Sequence, residues 1–320
     1  MANEKRKTIY DSLELKVFSD DIYSYRDKAK QSLCFSLMPK NSKGRKDYLV
    51  NLFQLDENAF DQKYDQAATG SGNAWKDFDA IKSSALIALL CFYNVEKKHI
   101  RIEDVTYDKS FFEVKNTVIN TPSNMDVVLT GIDENNKSVI LFLECKFSEY
   151  LKNDVEHISA EYFEEKRLSK KLYDLLQANE LGKYCTVDGK SYCFYTPDAY
   201  SQGIKQIISH LVGLESFLKR DDEYGEKLYP SKKKAFRRRE IYSGQYDRVI
   251  FRELLFKFGG YEEELKRYVG LSEKVKELFI NKNKMISEKI EFKSPLEYKK
   301  DIFSKNIDAL DKRVKSFYKF

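Results

Sequence analysis

Three residues that could bind a metal ion and act on water occupy two neighbouring runs of the sequence: Asp126, Glu144 and Lys146. Asp126 lies in the run 124–129, and Glu144 and Lys146 end the apolar run 138–146, with a turn rich in Gly, Asp and Asn between them. This pattern predicts a β-hairpin whose second strand is buried and central. Alternate residues of a strand share a face, so Glu144 and Lys146 should point to one side and Cys145 to the other.

The chemistry of these residues suits a hard metal ion. A carboxylate and an ammonium at the end of a buried strand are costly to desolvate unless they pair or bind a ligand. Asp126, on the neighbouring strand, could bring a second carboxylate to the same place. Two carboxylates and the carbonyl oxygen of Cys145 form a ligand set that favours Mg²⁺, for which Mn²⁺ can substitute. The simpler alternative is that Glu144 and Lys146 only form an ion pair.

The spacing of these residues resembles a known nuclease motif. Asp126, followed 18 positions later by Glu144-Cys145-Lys146, is similar to the PD-(D/E)xK motif of the restriction-endonuclease-like nuclease superfamily, although Met125 stands where the motif's namesake has Pro. Three other segments are similar to one poorly characterised branch of that superfamily, and the resemblance spans roughly residues 68 to 258. These segments are a helix with Ser83-Ser84-Ala85-Leu86, the run Phe147-Ser148-Glu149-Tyr150-Leu151, and a helix with Gln206 and His210.

The resemblance implies a fold and an activity. The expected fold is α/β, a restriction-endonuclease-like core with a central mixed β-sheet of about five strands flanked by helices, and extra helices at both termini. The expected activity is Mg²⁺-dependent hydrolysis of phosphodiester bonds in DNA. Asp126, Glu144 and the Cys145 carbonyl would hold the metal, while Lys146 would orient or deprotonate the attacking water. Two alternatives remain open: RNA as the substrate, or an inactive nuclease fold that binds nucleic acid or a protein partner.

Further candidate residues surround this set. The resemblance gives Gln206, His210 and Ser83 supporting roles, although a lone histidine beside an apolar stripe is more often a structural hydrogen-bonding residue, and a helical serine more often bonds the backbone. The resemblance also implies a third acidic residue on the first helix, and the sequence does not decide between Glu57, Asp77 and Asp79. Glu113-Val114-Lys115 is a second ExK pattern, which we interpret as a strand with an exposed polar face or as the source of one supporting charge.

The order of periodic segments predicts three regions: a mostly helical N-terminal segment (1–60), a nuclease core (61–260) and a C-terminal helical extension (261–320). The extension shows no recognisable chemistry and is expected to form a helical cap or an oligomer surface. The predicted helices are 47–60, 75–93, 158–179, 202–218, 261–280 and 295–320. Besides the central hairpin, the predicted strands are 110–115, which should be the first of the sheet, and 248–256, with a second hairpin at 184–195.

Composition narrows the class of protein. With 42% hydrophobic and 33% charged residues, the 320-residue chain should be globular rather than disordered. We expect a cytoplasmic protein, because no apolar run approaches a membrane span and no signal core follows the N-terminus. The five cysteines should be reduced core residues.

The net charge is only +5, but one run of the sequence concentrates positive charge, and this run is either a solvated loop or a loop that contacts phosphates. Its cations are Lys232, Lys233, Lys234, Arg237, Arg238 and Arg239. The sequence leaves a homodimer open.

Overall fold

The computed structural model of the chain describes twelve stretches: residues 26–27, 32–35, 42–67, 83–116, 122–147, 149–151, 157–159, 183–187, 190–194, 204–220, 240–306 and 312–318. Within these stretches, no helix combines the length and the apolar character that crossing a membrane requires. The basic run 232–239 and two of the candidate acids, Asp77 and Asp79, lie outside them.

A seven-stranded mixed sheet forms the centre of the described structure. Its strands are β3 (Ile100–Ile102), β4 (Val105–Asn116), β5 (Ser123–Asp133), β6 (Ser138–Lys146), β10 (Arg248–Leu255), β11 (Ile290–Phe292) and β12 (Leu296–Glu297). They lie in the order β11-β10-β6-β5-β4-β3, and β12 is also paired to β10. Neighbours from β3 to β6 are antiparallel, whereas β10 runs parallel to β6, β11 and β12. The predicted hairpin is β5–β6, and β6 is buried and central as expected. The sheet is larger than the five strands predicted.

Helices cover both faces of the sheet, as predicted. Odd-numbered residues of β6 join one apolar cluster with α3 (Ser84–Phe92), a helix that is buried almost all round. Even-numbered apolar residues of β6 join a second cluster with α5 (Ile204–Leu218) and part of α6 (Glu262–Lys282). Glu144 and Lys146 therefore face α5, while Cys145 lies in the opposite cluster.

Side chains occupy the outer edge of β4 where β3 no longer covers it. Lys63, on α2 (Glu57–Ala67), donates to the carbonyl oxygen of Ser110 at 2.6 Å and also pairs with Glu96. The backbone N–H of Ser110 donates to Glu96 Oε1 at 3.1 Å, and that of Phe112 to Gln66 Oε1 at 3.4 Å. An edge strand left bare would present unpaired backbone groups. Here those groups are satisfied by side chains of the helical segments that precede the sheet.

The remaining elements are smaller. Ahead of α2 lie the pair β1 (Arg26–Asp27) and β2 (Ser32–Phe35) and the helix α1 (Ser42–Phe53), and α4 (Val95–Lys98) follows α3. A three-stranded sheet contains β7 (His157–Ser159), β8 (Lys183–Val187) and β9 (Lys190–Phe194), which confirms the second predicted hairpin. The chain continues after α6 with α7 (Lys284–Lys289) and, after β12, with a π-helical turn (Tyr298–Phe303) and α8 (Lys312–Phe317).

Several predicted element boundaries are wrong. The helix predicted at 47–60 is two helices, because the backbone breaks at Gln54, whose φ of 54° is left-handed. The helix predicted at 158–179 begins on strand β7, and the rest of it lies outside the described residues. The range 295–320 holds a strand and two short helical pieces instead of one helix. The strand predicted at 110–115 is the C-terminal half of the longer β4, and β3 lies before β4 in the sheet.

Candidate functional site

The candidate site lies where β5 and β6 separate. The last paired residues of the two strands are Val127 and Leu143, one step before Asp126 and Glu144. Beyond that pair, the Asp126 carboxylate accepts a hydrogen bond from the backbone N–H of Cys145 at 2.7 Å. A side-chain oxygen thus takes an N–H that a regular ladder would give to a carbonyl. The strands open at the two carboxylates that the sequence singled out.

Glu144 and Lys146 form a buried pair on the face under α5. Their exposed fractions are 0% and 2%, and Lys146 Nζ donates to Glu144 Oε1. Burial by itself would raise the pKa of Glu144, but His210 and Lys146 outweigh it and lower that pKa to about 2. Burial would likewise lower the pKa of Lys146, yet the negative charges of Glu144, Glu149 and Asp126 raise it. Both groups are therefore held in their charged forms.

Helix α5 brings two polar side chains, one turn apart, onto this pair. Gln206 is exposed, and its Oε1 accepts a hydrogen bond from Lys146 Nζ at 2.5 Å. His210 is 2% exposed, and its Nε2 lies 2.6 Å from Glu144 Oε2, although the two groups are not aligned for a well-formed hydrogen bond. The predicted neighbours Gln206 and His210 thus contact the two charged residues of β6, and Gln206 is the one that reaches solvent.

The position of His210 depends on a close approach of helix and sheet. Its Nδ1 lies 2.5 Å from the hydroxyl oxygen of Ser123, a buried residue of β5. One turn later, Gly213 faces the paired residues Asn116 and Ser123: a Cβ at this position would lie 2.9 Å and 3.1 Å from their Cβ atoms. Because a serine hydroxyl can donate or accept, Ser123 can satisfy Nδ1 in either protonation state. The ring is thereby kept with Nε2 toward Glu144.

A further carboxylate faces Asp126. Phe112 pairs with Val127 and Val114 with Met125, which places Glu113 across from Asp126 on the neighbouring strand. Glu113 is 6% exposed and has a left-handed φ of 51°, unusual for a residue with a Cβ. Burial raises the pKa of the partly exposed Asp126, and the charges of Glu144 and Glu113 raise it further. Asp126 is therefore the carboxyl that tends to take up a proton when no cation is nearby.

The chain is anchored immediately after Lys146. The ring of Phe147 packs edge-on against Phe256 and Phe258, with centroids 4.5 and 5.1 Å apart. Its backbone N–H donates to Glu149 Oε2 at 2.6 Å, and the hydroxyl of Tyr150 donates to the carbonyl oxygen of Phe256 at 2.6 Å. These contacts fix the end of β6. They also hold Glu149 close enough to Lys146 for its charge to act on the ammonium.

The other predicted site residues lie elsewhere. Ser83 is the N-cap of α3, where its hydroxyl accepts from the backbone N–H of Leu86 at 3.3 Å, and α3 covers the opposite face of the sheet. Glu57 is exposed at the start of α2. The interpretation of Glu113 as part of an exposed polar face is wrong, because β4 is covered at that point.

Two carboxylates and a carbonyl could hold a hard cation here, but the side chains are not grouped around one. Among the described residues, no three His, Cys, Asp or Glu side chains come together as metal ligands. Asp126 offers one oxygen without a hydrogen-bond partner within the described structure and is partly exposed, whereas Glu144 is fully buried, with Lys146 bonded to Oε1 and His210 Nε2 2.6 Å from Oε2. The donor chemistry suits Mg²⁺, and the repulsion that raises the pKa of Asp126 is what a cation would relieve.

Sequence reasoning missed Ser123, Glu149 and the position of Glu113. Ser123 becomes significant only through His210, 87 positions away, and no local pattern reports such a contact. Glu113 could have been found from its place in an apolar strand. Comparison with known proteins adds nothing to this set, since no family model, curated protein or solved structure matches the chain.

Proposed function

We propose that the protein is a metal-dependent nuclease with a restriction-endonuclease-like core, acting on DNA. The observation that carries this proposal is the meeting of Asp126, Glu144 and Lys146 where β5 and β6 part. Two carboxylates that repel each other beside a buried lysine favour a cation and a reaction in which negative charge develops. Phosphodiester hydrolysis is such a reaction. The mixed α/β sheet with helices on both faces is compatible with it.

Asp126, Glu144 and the Cys145 carbonyl would hold Mg²⁺, with Mn²⁺ as a substitute. When bound, the ion would lower the pKa of the attacking water and offset the charge that develops on the phosphate. For Glu144 to contact the ion, one of the groups that cover it must shift, since the carboxylate is fully buried. Asp126 needs no such change, because it is partly exposed.

The remaining residues would position the reacting groups. Lys146 stays charged and has three donors, so it can hold Glu144 and orient a water or a phosphate oxygen at once. Gln206 fixes the direction of the ammonium from the solvent side. His210, backed by Ser123, holds Glu144 from the inner side. His210 is therefore a positioning residue in this proposal, whereas Lys146 would be catalytic.

The test is cleavage of plasmid DNA by the purified protein in Mg²⁺ or Mn²⁺ and in EDTA. We expect cleavage only with the metal ion, and its loss in Asp126→Asn and Glu144→Gln. Glu288→Gln is the matched control, because Glu288 is exposed and, within the described structure, its one ion pair is with Lys284 at 3.6 Å. Cleavage by either site variant at the wild-type rate would contradict the assignment. The same assay with a single-stranded RNA tests the alternative substrate.

One observation favours a second candidate, an inactive nuclease fold that binds nucleic acid or a protein. Glu144 is fully buried, with Lys146 Nζ bonded to Oε1 and His210 Nε2 2.6 Å from Oε2, so both oxygens lie against side chains rather than open to a metal ion. Calorimetric titration with Mn²⁺ separates the two functions. Binding of Mn²⁺ that Asp126→Asn removes supports the nuclease. A protein that binds DNA, but neither binds Mn²⁺ nor cleaves, is the binding module.

A further inference from the structure

A second buried carboxylate lies beside Glu144 on the next strand. Glu253 of β10 is the register partner of Glu144 in the parallel ladder, and both side chains are 0% exposed. Neighbouring strands are about 4.8 Å apart, so partners in register place their side chains side by side on one face. Two ionised carboxylates at this spacing, away from water, are tolerated only if each has its own compensating charge.

Glu253 receives its partners from α6, in the predicted C-terminal extension. The hydroxyl of Tyr268 donates to Oε1 at 2.5 Å, while Ser272 Oγ and Lys276 Nζ donate to Oε2 at 2.7 and 2.6 Å. The three donors stand four residues apart, on one face of the helix. Lys276 is 2% exposed and also lies 3.2 Å from Glu273. The expectation of a helix without recognisable chemistry therefore misses this network.

We infer that Lys276 is a positioning residue of the candidate site: because it neutralises Glu253, Lys146 pairs with Glu144 alone. This inference rests on the proposed function for its effect on cleavage. The two carboxylates are neighbours, and each is matched by one lysine, Lys146 from the same strand and Lys276 from α6. Burial and then the charges of Glu253 and Glu144 raise the pKa of Tyr268, which donates to Glu253.

Lys146 is the lysine of the neighbouring strand that can replace Lys276 if the charge of Lys276 is removed. It ends β6 two residues after Glu144 on the same face, so it stands diagonal to Glu253 across the ladder. An ammonium facing two buried carboxylates is shared between them, and its position over Glu144 is lost. A displacement of about 1 Å in a reacting group can cost about a hundredfold in rate.

The experiment compares Lys276→Met, Glu253→Gln and the double variant with the wild type. The methionine keeps the length of the side chain and removes its charge. We expect Lys276→Met to slow single-turnover plasmid cleavage by about a hundredfold with an unchanged DNA Kd. Glu253→Gln and the double variant should cleave within about threefold of the wild-type rate, because Glu144 is then the one carboxylate of this pair that Lys146 can neutralise. Lys284→Met, at an exposed site, is the matched control.

A crystal structure of Lys276→Met gives a readout that does not depend on activity. Lys146 Nζ is expected to leave Glu144 and approach Glu253. The inference is overturned if Lys146 keeps its contact with Glu144 there, or if the folded double variant cleaves as slowly as Lys276→Met. Should Lys276→Met not fold, a folded double variant that cleaves about a hundredfold more slowly than the wild type overturns the inference. Absence of cleavage in the wild type would instead contradict the proposed function, and the crystal structure would still test the inference.

Discussion

Gly213 is the point at which the packing of α5 on the sheet can be tested without any assumption about function. An alanine Cβ here would lie 2.9 Å from the Cβ of Asn116 and 3.1 Å from that of Ser123. Both neighbours belong to paired, buried strand positions and have little freedom to move. Gly213→Ala should therefore push α5 away from the sheet, one turn from His210.

The expected change in the free energy of unfolding of Gly213→Ala follows from two opposing effects. Replacing glycine by alanine inside a helix by itself stabilises a protein by about 0.5–1 kcal/mol. Overpacking of a well-packed contact costs about 1–3 kcal/mol. Gly213→Ala should thus lower the free energy of unfolding by about 0–2.5 kcal/mol. Gly270, in α6, has nothing within 4 Å of an added Cβ, so Gly270→Ala should raise that free energy by the helix effect alone.

Urea unfolding of both variants and the wild type measures these changes, and the difference between the variants isolates the contact, at about 1–3 kcal/mol. A Gly213→Ala protein as stable as Gly270→Ala would refute the close approach of α5 to the sheet. A lower stability of Gly213→Ala, together with a crystal structure in which His210 has moved from Ser123, would confirm it.

Four further predictions concern the site and the basic run. Without divalent ions, Asp126→Asn should raise the Tm at pH 7, because the folded state raises the pKa of Asp126. The gain in Tm should shrink as the pH falls and Asp126 of the wild type takes up a proton, and an unchanged Tm would contradict this prediction. Glu144 has a pKa of about 2, so its ionised form stabilises the folded state at pH values above its ordinary pKa of about 4.3, and this stability is lost as the pH falls toward 2. The stability of Glu144→Gln should therefore depend less on pH between those values than that of the wild type, and an unchanged pH dependence would disprove this. Lys146→Ala should bind DNA and Mn²⁺ but cleave orders of magnitude more slowly than the wild type. Cleavage by this variant at the wild-type rate, or a loss of about 3–5 kcal/mol of its stability, would remove Lys146 from the mechanism. Alanine at arginines 237–239 should flatten the salt dependence of DNA binding by roughly one unit of slope per lost contact, and an unaltered slope would indicate a solvated loop.

The sequence predicted the parts of the site that depend on local periodicity. The alternation of β6 placed Glu144 and Lys146 on one face and Cys145 on the other, and the apolar stripe of α5 placed Gln206 and His210 beside that face. Both inferences need only the repeat of a single element. The mixed α/β class follows for the same reason, since it depends on the kinds of element rather than on their pairing.

Pairing between distant elements could not be predicted in the same way. Glu253 stands in an apolar strand, and its role is set by three residues of α6, 15 to 23 positions later. Glu113 stands in a strand that the sequence predicts, but its left-handed backbone conformation has no local signal. The C-terminal strands β11 and β12 are three and two residues long, too short for periodicity to distinguish them from a helix.

The side chains along the edge of β4 also affect how the protein behaves when many copies are crowded together. Lys63, Gln66 and Glu96 occupy hydrogen-bonding positions that a strand from another molecule would otherwise use. Detachment of α2 during heating or synthesis would uncover the positions that Lys63 and Gln66 occupy while the strand is still formed. The onset of self-association on heating should therefore follow the release of this one helix, before the sheet itself melts.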